Sequence, residues 1–298
     1  MEFSEITLGS KAEFKHYIGL HKPQISELTF TNFFAWRYFY KFRYSVIAGL
    51  LCVISVPNRG EPFAMMPLGE VNEENFSEAY SKLKEYFNKK GWRLTFKRIT
   101  AQELEFFKKR VASEASIVYD RDNSDYLYKT EDLIKLQGKK YDGKRNHISK
   151  FKKLYTYEYV PLDSTLLDEC ARIMEQWCAE KNCECTDGDY CERMANLELL
   201  ENFEALDYKG ALIKVDGVYE AFTAGEILNE DTAVIHVEKA GSSIRGLYAF
   251  INQQFAEKEW PGTTYINREQ DLGLEGMRKA KLSYHPVRLV DKYTVYPV

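Results

Sequence analysis

Three strand-like runs in succession, followed by a helix and a further strand, limit the fold of this chain more than any other feature. Asp216-Gly217 joins the first two runs and is a dipeptide typical of tight hairpins. Strands that alternate with amphipathic helices in this way predict an α/β (mixed α+β) domain, with a central mixed sheet flanked by helices. In chain order the predicted strands cover residues 209–215, 218–227, 232–237 and 263–267, the helices cover 246–259 and 274–281, and an extended segment covers 284–296.

The first half of the chain predicts a second domain of the same class. A single core rarely fills a chain of 298 residues, so two domains are expected, 1–150 and 151–298. The boundary is set in a Lys- and Tyr-rich stretch. The predicted elements are a highly aromatic helix over 24–40, strand runs at 44–56 and 62–68 that form a hairpin, a helix at 73–89, a strand at 92–99 and a helix at 101–111, followed after the boundary by a strand at 155–162 and helices at 165–181 and 190–206.

Composition and charge narrow the class of protein. A net charge of −4 provides no global positive field for nucleic acid, so any site for a polyanion must be a local patch. The first residues are charged and polar rather than apolar, and the longest apolar run, residues 46–56, is too short to span a bilayer. We therefore expect a cytoplasmic protein with no transmembrane segment.

Four cysteines close together raise the question of zinc. Cys178, Cys183, Cys185 and Cys191 follow the spacing Cys-x4-Cys-x-Cys-x5-Cys. The paired Cys-x-x-Cys knuckles of common zinc sites are missing, and two cysteines separated by one residue fit a single tetrahedral ion poorly. We expect reduced cysteines and no metal site.

A polar strand end is the first candidate for chemistry. His236 and Glu238 alternate along the strand and so share one of its faces, whereas Lys239 belongs to the other face. The strand leads into a glycine-containing loop that opens a helix, an arrangement that often holds anions. The alternative is a merely solvated strand face.

The most polar cluster of the chain follows the next strand. Neighbouring strands deliver their ends to one crevice, so this cluster is expected to converge with His236 and Glu238. Carboxylates beside cations suit acid–base work and the stabilisation of an oxyanion or phosphate. The alternative is a solvated turn with incidental ion pairs. The cluster consists of Asn267, Arg268, Glu269, Gln270 and Asp271, and the helix after it carries Arg278, Lys279 and Lys281.

A basic run in the middle of the chain is the third candidate. Cations along one helix face can follow a phosphate backbone, and the interleaved Tyr141 and Phe151 can stack on bases. A solvated helix face explains the same pattern. The candidate nucleic-acid contacts are Lys144, Arg145, Lys150, Lys152 and Lys153.

Several stretches, taken together, resemble one bacterial family. The sequence is similar over nearly its whole length to the C-terminal domain of phosphatidylglycerol lysyltransferases, which are related to the Fem-type aminoacyltransferases. The stretches are Ser26-Glu27-Leu28-Thr29-Phe30 with Asn32 and Trp36, Asp125-Tyr126-Leu127-Tyr128, Lys144-Arg145-Asn146, His236-Val237-Glu238-Lys239-Ala240, and Asn267 to Gly273 with Arg278, Lys279, Lys281 and Pro286.

The resemblance implies two tandem GNAT-like acyltransferase domains, with the active site in the second. Those families move an amino acid from charged tRNA to an amine or hydroxyl acceptor, which implies aminoacyl-tRNA as a partner and a small-molecule or lipid-like acceptor. Two departures bear on this: the multi-spanning membrane part is missing, and Gly241 and Gly246 do not have the spacing of a pyrophosphate-binding loop. An acyl-CoA-dependent N-acyltransferase and a non-catalytic binding protein are the alternatives, so acyl-CoA stays open as a cofactor.

Roles follow for the candidate residues. Glu238, with His236 beside it, would orient or deprotonate the nucleophile, which would attack directly because no Ser or Cys lies beside a base in these motifs. Arg268 and Lys239 would bind phosphates or the oxyanion. Glu269 and Asp271 would hold a donor ammonium group. Asn267, Arg278 and Lys281 complete the expected substrate-binding set.

Overall fold

The chain folds into two compact units. The structure, a computed structural model, describes residues 1–111, 116–181 and 192–297. The first unit contains Met1–Asp125, Gln270–Arg278 and Leu289–Val298, and the second contains Tyr126–Glu269 and Lys279–Arg288. This division differs from a single boundary at residue 150, because the break falls after Asp125 and the C-terminal part of the chain contributes to both units.

The first unit is built on a seven-stranded sheet with the strand order β1-β2-β3-β4-β5-β14-β6, in which β14 is the late strand Lys292–Tyr296. Asn72 begins helix α4, its side chain accepting hydrogen bonds from the first free backbone amides, and the apolar face of α4 is buried in the core of this unit. The elements are β1 (Ser4–Glu5), α1 (Lys11–His21), α2 (Phe30–Ala35), α3 (Arg37–Tyr40), β2 (Phe42–Ile47), β3 (Leu50–Ser55), β4 (Phe63–Ala64), α4 (Glu73–Lys89), β5 (Phe96–Thr100), α5 (Leu104–Val111) and β6 (Ser116–Tyr119).

Two predictions for this unit need correction. The helix expected over 24–40 is two short helices, α2 and α3, that meet at Trp36, whose φ and ψ of −95° and 4° are not helical. The strand run 44–56 is itself a hairpin of β2 and β3, because Ala48 and Gly49 both have positive φ, 53° and 75°, and reverse the chain. The predicted hairpin across Pro57 is also present, since β3 and β4 pair antiparallel.

The second unit is built on another seven-stranded sheet, with the order β13-β7-β12-β11-β10-β9-β8. The predicted strands and helices between 209 and 267 are confirmed, and both sheets are mixed, as expected for the fold class. The elements are β7 (Asp125–Lys129), α6 (Thr130–Lys135), α7 (Asp142–Leu154), β8 (Tyr157–Pro161), α8 (Leu167–Lys181), α9 (Glu192–Glu201), β9 (Lys209–Val215), β10 (Val218–Ile227), β11 (Thr232–Ala240), α10 (Leu247–Glu259), β12 (Tyr265–Asn267), α11 (Glu275–Leu282) and β13 (Arg288–Val290). The extended segment predicted at 284–296 thus provides a strand to each sheet.

Strands β11 and β12 run parallel but pair only briefly. Their last paired residues are Val234 and Asn267, after which β11 continues to Ala240. We call the opening between β11 beyond Val234 and the chain beyond Asn267 the β11–β12 gap. Ligands of open α/β sheets characteristically bind at the carboxyl ends of such strands.

The described residues contain no group of His, Cys, Asp and Glu side chains that could hold a metal ion. Cys52 and Cys170 are free thiols. Three of the four cysteines of the Cys-x4-Cys-x-Cys-x5-Cys pattern lie outside the described residues. Among the helices of residues 1–111, 116–181 and 192–297, none is both long and apolar enough to cross a membrane.

Candidate functional site

An ion pair bridges the β11–β12 gap. Arg268 Nη2 donates a hydrogen bond of 2.8 Å to Glu238 Oε1, and Asn252 Nδ2 on α10 donates one of 2.9 Å to Glu238 Oε2. Both side chains of the ion pair are only 13% exposed. Since each carboxylate oxygen of Glu238 already accepts a strong hydrogen bond, this group is fixed in place as an acceptor.

Arg268 lies against two tyrosine rings. Its Cζ atom is 4.8 Å from the ring centre of Tyr284 and 5.7 Å from that of Tyr128. Burial alone would lower the pKa of the Arg268 guanidinium, but the nearby Glu238 carboxylate outweighs it and raises the pKa. Arg268 Nη1 is buried and has no hydrogen-bond partner among the described residues. A buried N–H without a partner is costly, and such donors are retained chiefly where they serve a ligand or a strained state.

Lys144 lies on the same tyrosine. Its Nζ atom is 3.8 Å from the ring centre of Tyr284, and Tyr141 holds that segment by donating a hydrogen bond of 3.0 Å to the Tyr284 carbonyl. Burial, assisted by the positive charge of Arg268 and opposed by Glu238, lowers the pKa of the Lys144 ammonium to about 8. The gap is therefore flanked by two cations and one carboxylate.

His236 lies between two carboxylates. Its Nε2 is 2.9 Å from Glu226 Oε1 and its Nδ1 is 2.9 Å from Glu269 Oε1, with only 5% of the His236 side chain exposed. Burial alone would lower the pKa of His236, but the hydrogen bonds to Glu226 and Glu269 raise it to about 10. At neutral pH this imidazole is therefore a cation that joins β10, β11 and the segment after β12. It is a poor proton acceptor.

Glu269 reaches His236 from an unusual backbone conformation. Its φ is +55°, in the left-handed region that is uncommon for residues other than glycine. The side-chain oxygen of Asn267 accepts a hydrogen bond of 2.8 Å from the Glu269 amide. Asn267, fully buried, thus shapes the turn that carries both Arg268 and Glu269.

The predicted arrangement of the β11 strand is confirmed at Lys239. Its ammonium group lies 2.8 Å from Glu192 and 3.5 Å from the ring centre of Trp177, whereas Glu238 contacts Asn252 and Arg268. Lys239 is therefore already engaged with other residues, away from the Glu238–Arg268 pair.

The polar cluster after β12 is divided between the units. Asp271 and Arg278 belong to the first unit, where Asp271 is fully buried and lies 3.0 Å from both Arg121 and Arg278. Lys281 belongs to the second unit and donates a hydrogen bond to the Arg268 carbonyl. The structure thus brings Arg268 and Glu269 to the β11–β12 gap, while Asp271 and Arg278 form a separate ion-pair group.

The basic run lies on α7, and its residues differ in their surroundings. Lys144 flanks the gap, and Arg145 bonds to the carbonyls of Leu136 and Gly138 before α7. The remaining basic residues, Lys150, Lys152 and Lys153, are exposed. Their contact with nucleic acid stays a prediction.

Helix α7 closely approaches the start of α10. Gly246, the residue before α10, has a φ of +96°, and a Cβ atom there would lie 2.5 Å from the His147 carbonyl oxygen. Only glycine fits at this position, because the close contact with α7 leaves no room for a side chain. The free amides at the start of a helix attract an anion. The partial negative charge of the His147 carbonyl oxygen opposes this attraction at the start of α10.

Three residues of the site were not identified from the sequence: Tyr128, Tyr284 and Asn252. Tyr128 and Tyr284 resemble ordinary core aromatics, and both are buried. Asn252 carries the clearer signal, because it is a buried amide on a helix face otherwise formed by apolar residues such as Ile251 and Phe255. A polar residue at such a position needs a partner, and here the partner is Glu238.

Comparison with known proteins identifies the family of this chain and relatives of its fold. Residues 19–296 match the family described as phosphatidylglycerol lysyltransferase, C-terminal. A curated relative, the uncharacterized protein MYCGA3080 of Mycoplasmoides gallisepticum, is 24% identical over 204 residues, which cover 66% of this chain and 63% of that protein. The chain therefore spans less than two thirds of this relative's length.

Three solved structures share the fold. A conserved protein of unknown function from Bacteroides thetaiotaomicron has 34% identity and a TM-score of 0.93, with 100% of both chains covered. FemX superposes with a TM-score of 0.63 at 10% identity, over 100% of this chain and 98% of the other. A tandem GNAT protein from the clavulanic acid biosynthesis pathway superposes with a TM-score of 0.53 at 10% identity, over 98% and 97% of the chains. The fold is therefore that of tandem GNAT proteins.

Proposed function

Because the chain belongs to the family of phosphatidylglycerol lysyltransferase C-terminal domains, we propose that it transfers an aminoacyl group from aminoacyl-tRNA to an amine or hydroxyl acceptor. The observation that carries this proposal is the Glu238–Arg268 pair across the β11–β12 gap, with Lys144 beside it. This arrangement places fixed charges where a reaction that develops an oxyanion needs them. A cytoplasmic location is part of the same proposal.

The reaction that suits these groups is direct attack of the acceptor on the ester carbonyl. The nitrogen or oxygen of the acceptor forms a bond to the carbonyl carbon, and the bond to the tRNA oxygen breaks. Arg268 and Lys144 stabilise the negative charge that develops on the carbonyl oxygen. Lys144, whose pKa is about 8, gives its proton to the leaving oxygen and recovers one from the attacking atom.

The carboxylates have different roles in this mechanism. Glu238, held by Arg268 and Asn252, orients the acceptor by accepting a hydrogen bond from its N–H or O–H group. His236, protonated between Glu226 and Glu269, is a positioning residue that fixes the turn carrying Arg268. Asp271 and Arg278 form an ion pair with each other in the first unit and have no role in the proposed mechanism.

The start of α10 favours a tRNA donor over acyl-CoA. In a CoA enzyme that helix start would receive the pyrophosphate, but here the His147 carbonyl lies against Gly246. Lys150, Lys152 and Lys153, exposed on the same helix as His147, provide cations for the tRNA backbone instead.

The test measures the loss of the ester bond between the amino acid and its tRNA. Purified protein is incubated with aminoacyl-tRNA and a panel of amine and hydroxyl acceptors, and the fraction of tRNA that remains charged is read on acidic gels. We expect acceptor-dependent discharge, reduced at least about tenfold by Lys144→Met and unchanged by Lys258→Met, the same type of change at an exposed lysine of α10.

Native mass spectrometry with charged tRNA, uncharged tRNA and acetyl-CoA decides between the alternatives. Preference for charged tRNA is expected. Stoichiometric binding of acetyl-CoA in place of tRNA would contradict the proposal and indicate an acyl-CoA enzyme. Binding of charged tRNA without discharge in the presence of any acceptor would indicate a non-catalytic binding protein.

A further inference from the structure

The first unit contains a cavity of about 320 Å³ at the ends of its own parallel strands. Strands β4 and β5 pair in parallel only at Ala64 and Phe96, after which the two chain segments separate. One wall of the cavity comes from the loop after β4, at Met66 and Glu70, and another from the segment after β5, at Glu103 and Phe106. We call it the β4–β5 cavity.

The loop after β4, which forms one wall of the cavity, packs closely on its neighbours. Gly69 has a φ of +133°, and a Cβ atom there would lie 3.2 Å from both Leu50 and Tyr17. The loop therefore lies directly on β3 and α1 at this point. The space between the two separated strand ends is left free for a ligand.

The inner wall carries two side chains, His21 and Glu103, that are fixed by a mutual hydrogen bond. His21 Nε2 lies 2.8 Å from Glu103 Oε1, and the two side chains are 11% and 9% exposed. The other oxygen of Glu103 accepts hydrogen bonds of 2.7 and 2.9 Å from the amide and hydroxyl of Thr100. Glu103 therefore contributes a negative charge to the cavity from a position that is fixed by its neighbours.

The surroundings favour a cationic ligand over an anionic one. The side chain of Asn72 accepts hydrogen bonds of 3.0 Å from the amides of Glu74 and Asn75 at the start of α4, so these two amides are not available to a phosphate. Glu70, at the edge of the cavity, is exposed and has no ion-pair partner among the described residues. Lys22, which also lines the cavity, already interacts with another residue.

The remaining walls are apolar. Leu28 and Met66 are each 2% exposed, and Phe106 is partly buried beside them. A ligand that matches these walls has an apolar body and a positive end, since burial of the body on Met66 and Phe106 is favourable and the positive end meets Glu70 and Glu103.

We propose that the β4–β5 cavity is a binding site for a small aliphatic amine, with the ammonium group beside Glu70 and the alkyl chain against Met66 and Phe106. This site is separate from the β11–β12 gap, and the proposal does not depend on the acyl transfer proposed above.

The test uses hexylamine as the probe and the methyl signal of Met66 as the reporter. The full chain is labelled at its methionine methyl groups, and the Met66 signal is assigned with Met66→Leu. We expect a saturable shift of this signal with hexylamine and a Kd about fivefold weaker for hexanol, which has no charge to meet the carboxylates.

Two matched variants test the position of the charge. Glu70→Gln is expected to weaken hexylamine binding about threefold, whereas Glu74→Gln, an exposed acidic residue on the adjacent helix turn that does not line the cavity, leaves it unchanged. Both changed residues are exposed, so both variants are expected to fold. The proposal is overturned by the absence of any saturable Met66 shift, by equal binding of hexanoate or acetyl-CoA, or by equal effects of the two variants.

Discussion

Glu238 and Arg268 lie 2.8 Å apart although β11 no longer pairs with the chain after β12. The ion pair replaces the backbone hydrogen bonds that end at Val234 and Asn267. It therefore serves both the architecture of the second unit and the proposed chemistry, and the two roles can be separated by experiment.

Glu238→Gln preserves the shape of the side chain and removes its charge. Arg268 would then remain a buried cation without its carboxylate, so we expect the free energy of unfolding to fall by about 3 kcal/mol, measured by urea denaturation. Aminoacyl transfer is expected to fall at least about tenfold. Glu257→Gln, an exposed glutamate on α10, is the control and should change neither quantity. A fully stable and active Glu238→Gln protein would contradict both roles.

The ion-pair group around His236 makes stability depend on pH in a defined direction. The pKa of His236 is raised from 6.5 to about 10 in the folded state, so the stabilisation it provides is complete below pH 6.5 and is lost as the pH rises to 10. We expect wild type to exceed His236→Gln in unfolding free energy most strongly near pH 6, with a difference that shrinks towards pH 10. The measurement is urea denaturation of both proteins across this range, and a constant difference would show that His236 does not titrate as described.

The contribution of Lys144 to stability is expected to depend on pH in the direction opposite to that of His236. Its folded pKa of about 8 lies below the ordinary 10.5, so the charged form destabilises the folded state below pH 8, and this penalty disappears as the pH rises from 8 to 10.5. Lys144→Met should therefore be more stable than wild type at pH 7 while losing transfer activity. Reductive ¹³C-methylation and NMR titration measure the pKa directly, with the exposed Lys152 as the internal reference. Equal pKa values for the two lysines would remove Lys144 from its proposed role.

Gly246 tests the packing of α7 on α10 without changing any charge. A Cβ atom would lie 2.5 Å from the His147 carbonyl, and the φ of +96° disfavours any side chain, so Gly246→Ala should destabilise the protein by about 2 kcal/mol or more. Gly262→Ala is the control, since open space surrounds that position. Thermal denaturation of the two variants is the measurement, and equal melting temperatures would show that α7 moves away at little cost.

Much of the second unit was predictable because its signals are local. The dipeptide Asp216-Gly217 and the alternation of His236, Glu238 and Lys239 determine a turn and a strand face with no reference to distant residues. The contact between His236 and Glu269 required only the expectation that neighbouring strand ends meet.

The remaining contacts depend on distant parts of the chain. Tyr284 joins Lys144 and Arg268 at one ring, but nothing near it in the sequence distinguishes it from a core tyrosine. Asp271 follows Glu269 by two residues and yet belongs to the other compact unit, paired with Arg121. Such divisions arise from tertiary packing, which local periodicity does not encode.

The position of β14 has a consequence for how the chain folds during synthesis. This strand lies between β5 and β6 and pairs with both, although it is made last of the three. While the ribosome is still producing the second unit, β5 and β6 lack the strand that pairs with both of them. The unit that begins first is thus completed last, and until then two open strand edges depend on the growing chain, or on a chaperone, for protection against wrong partners.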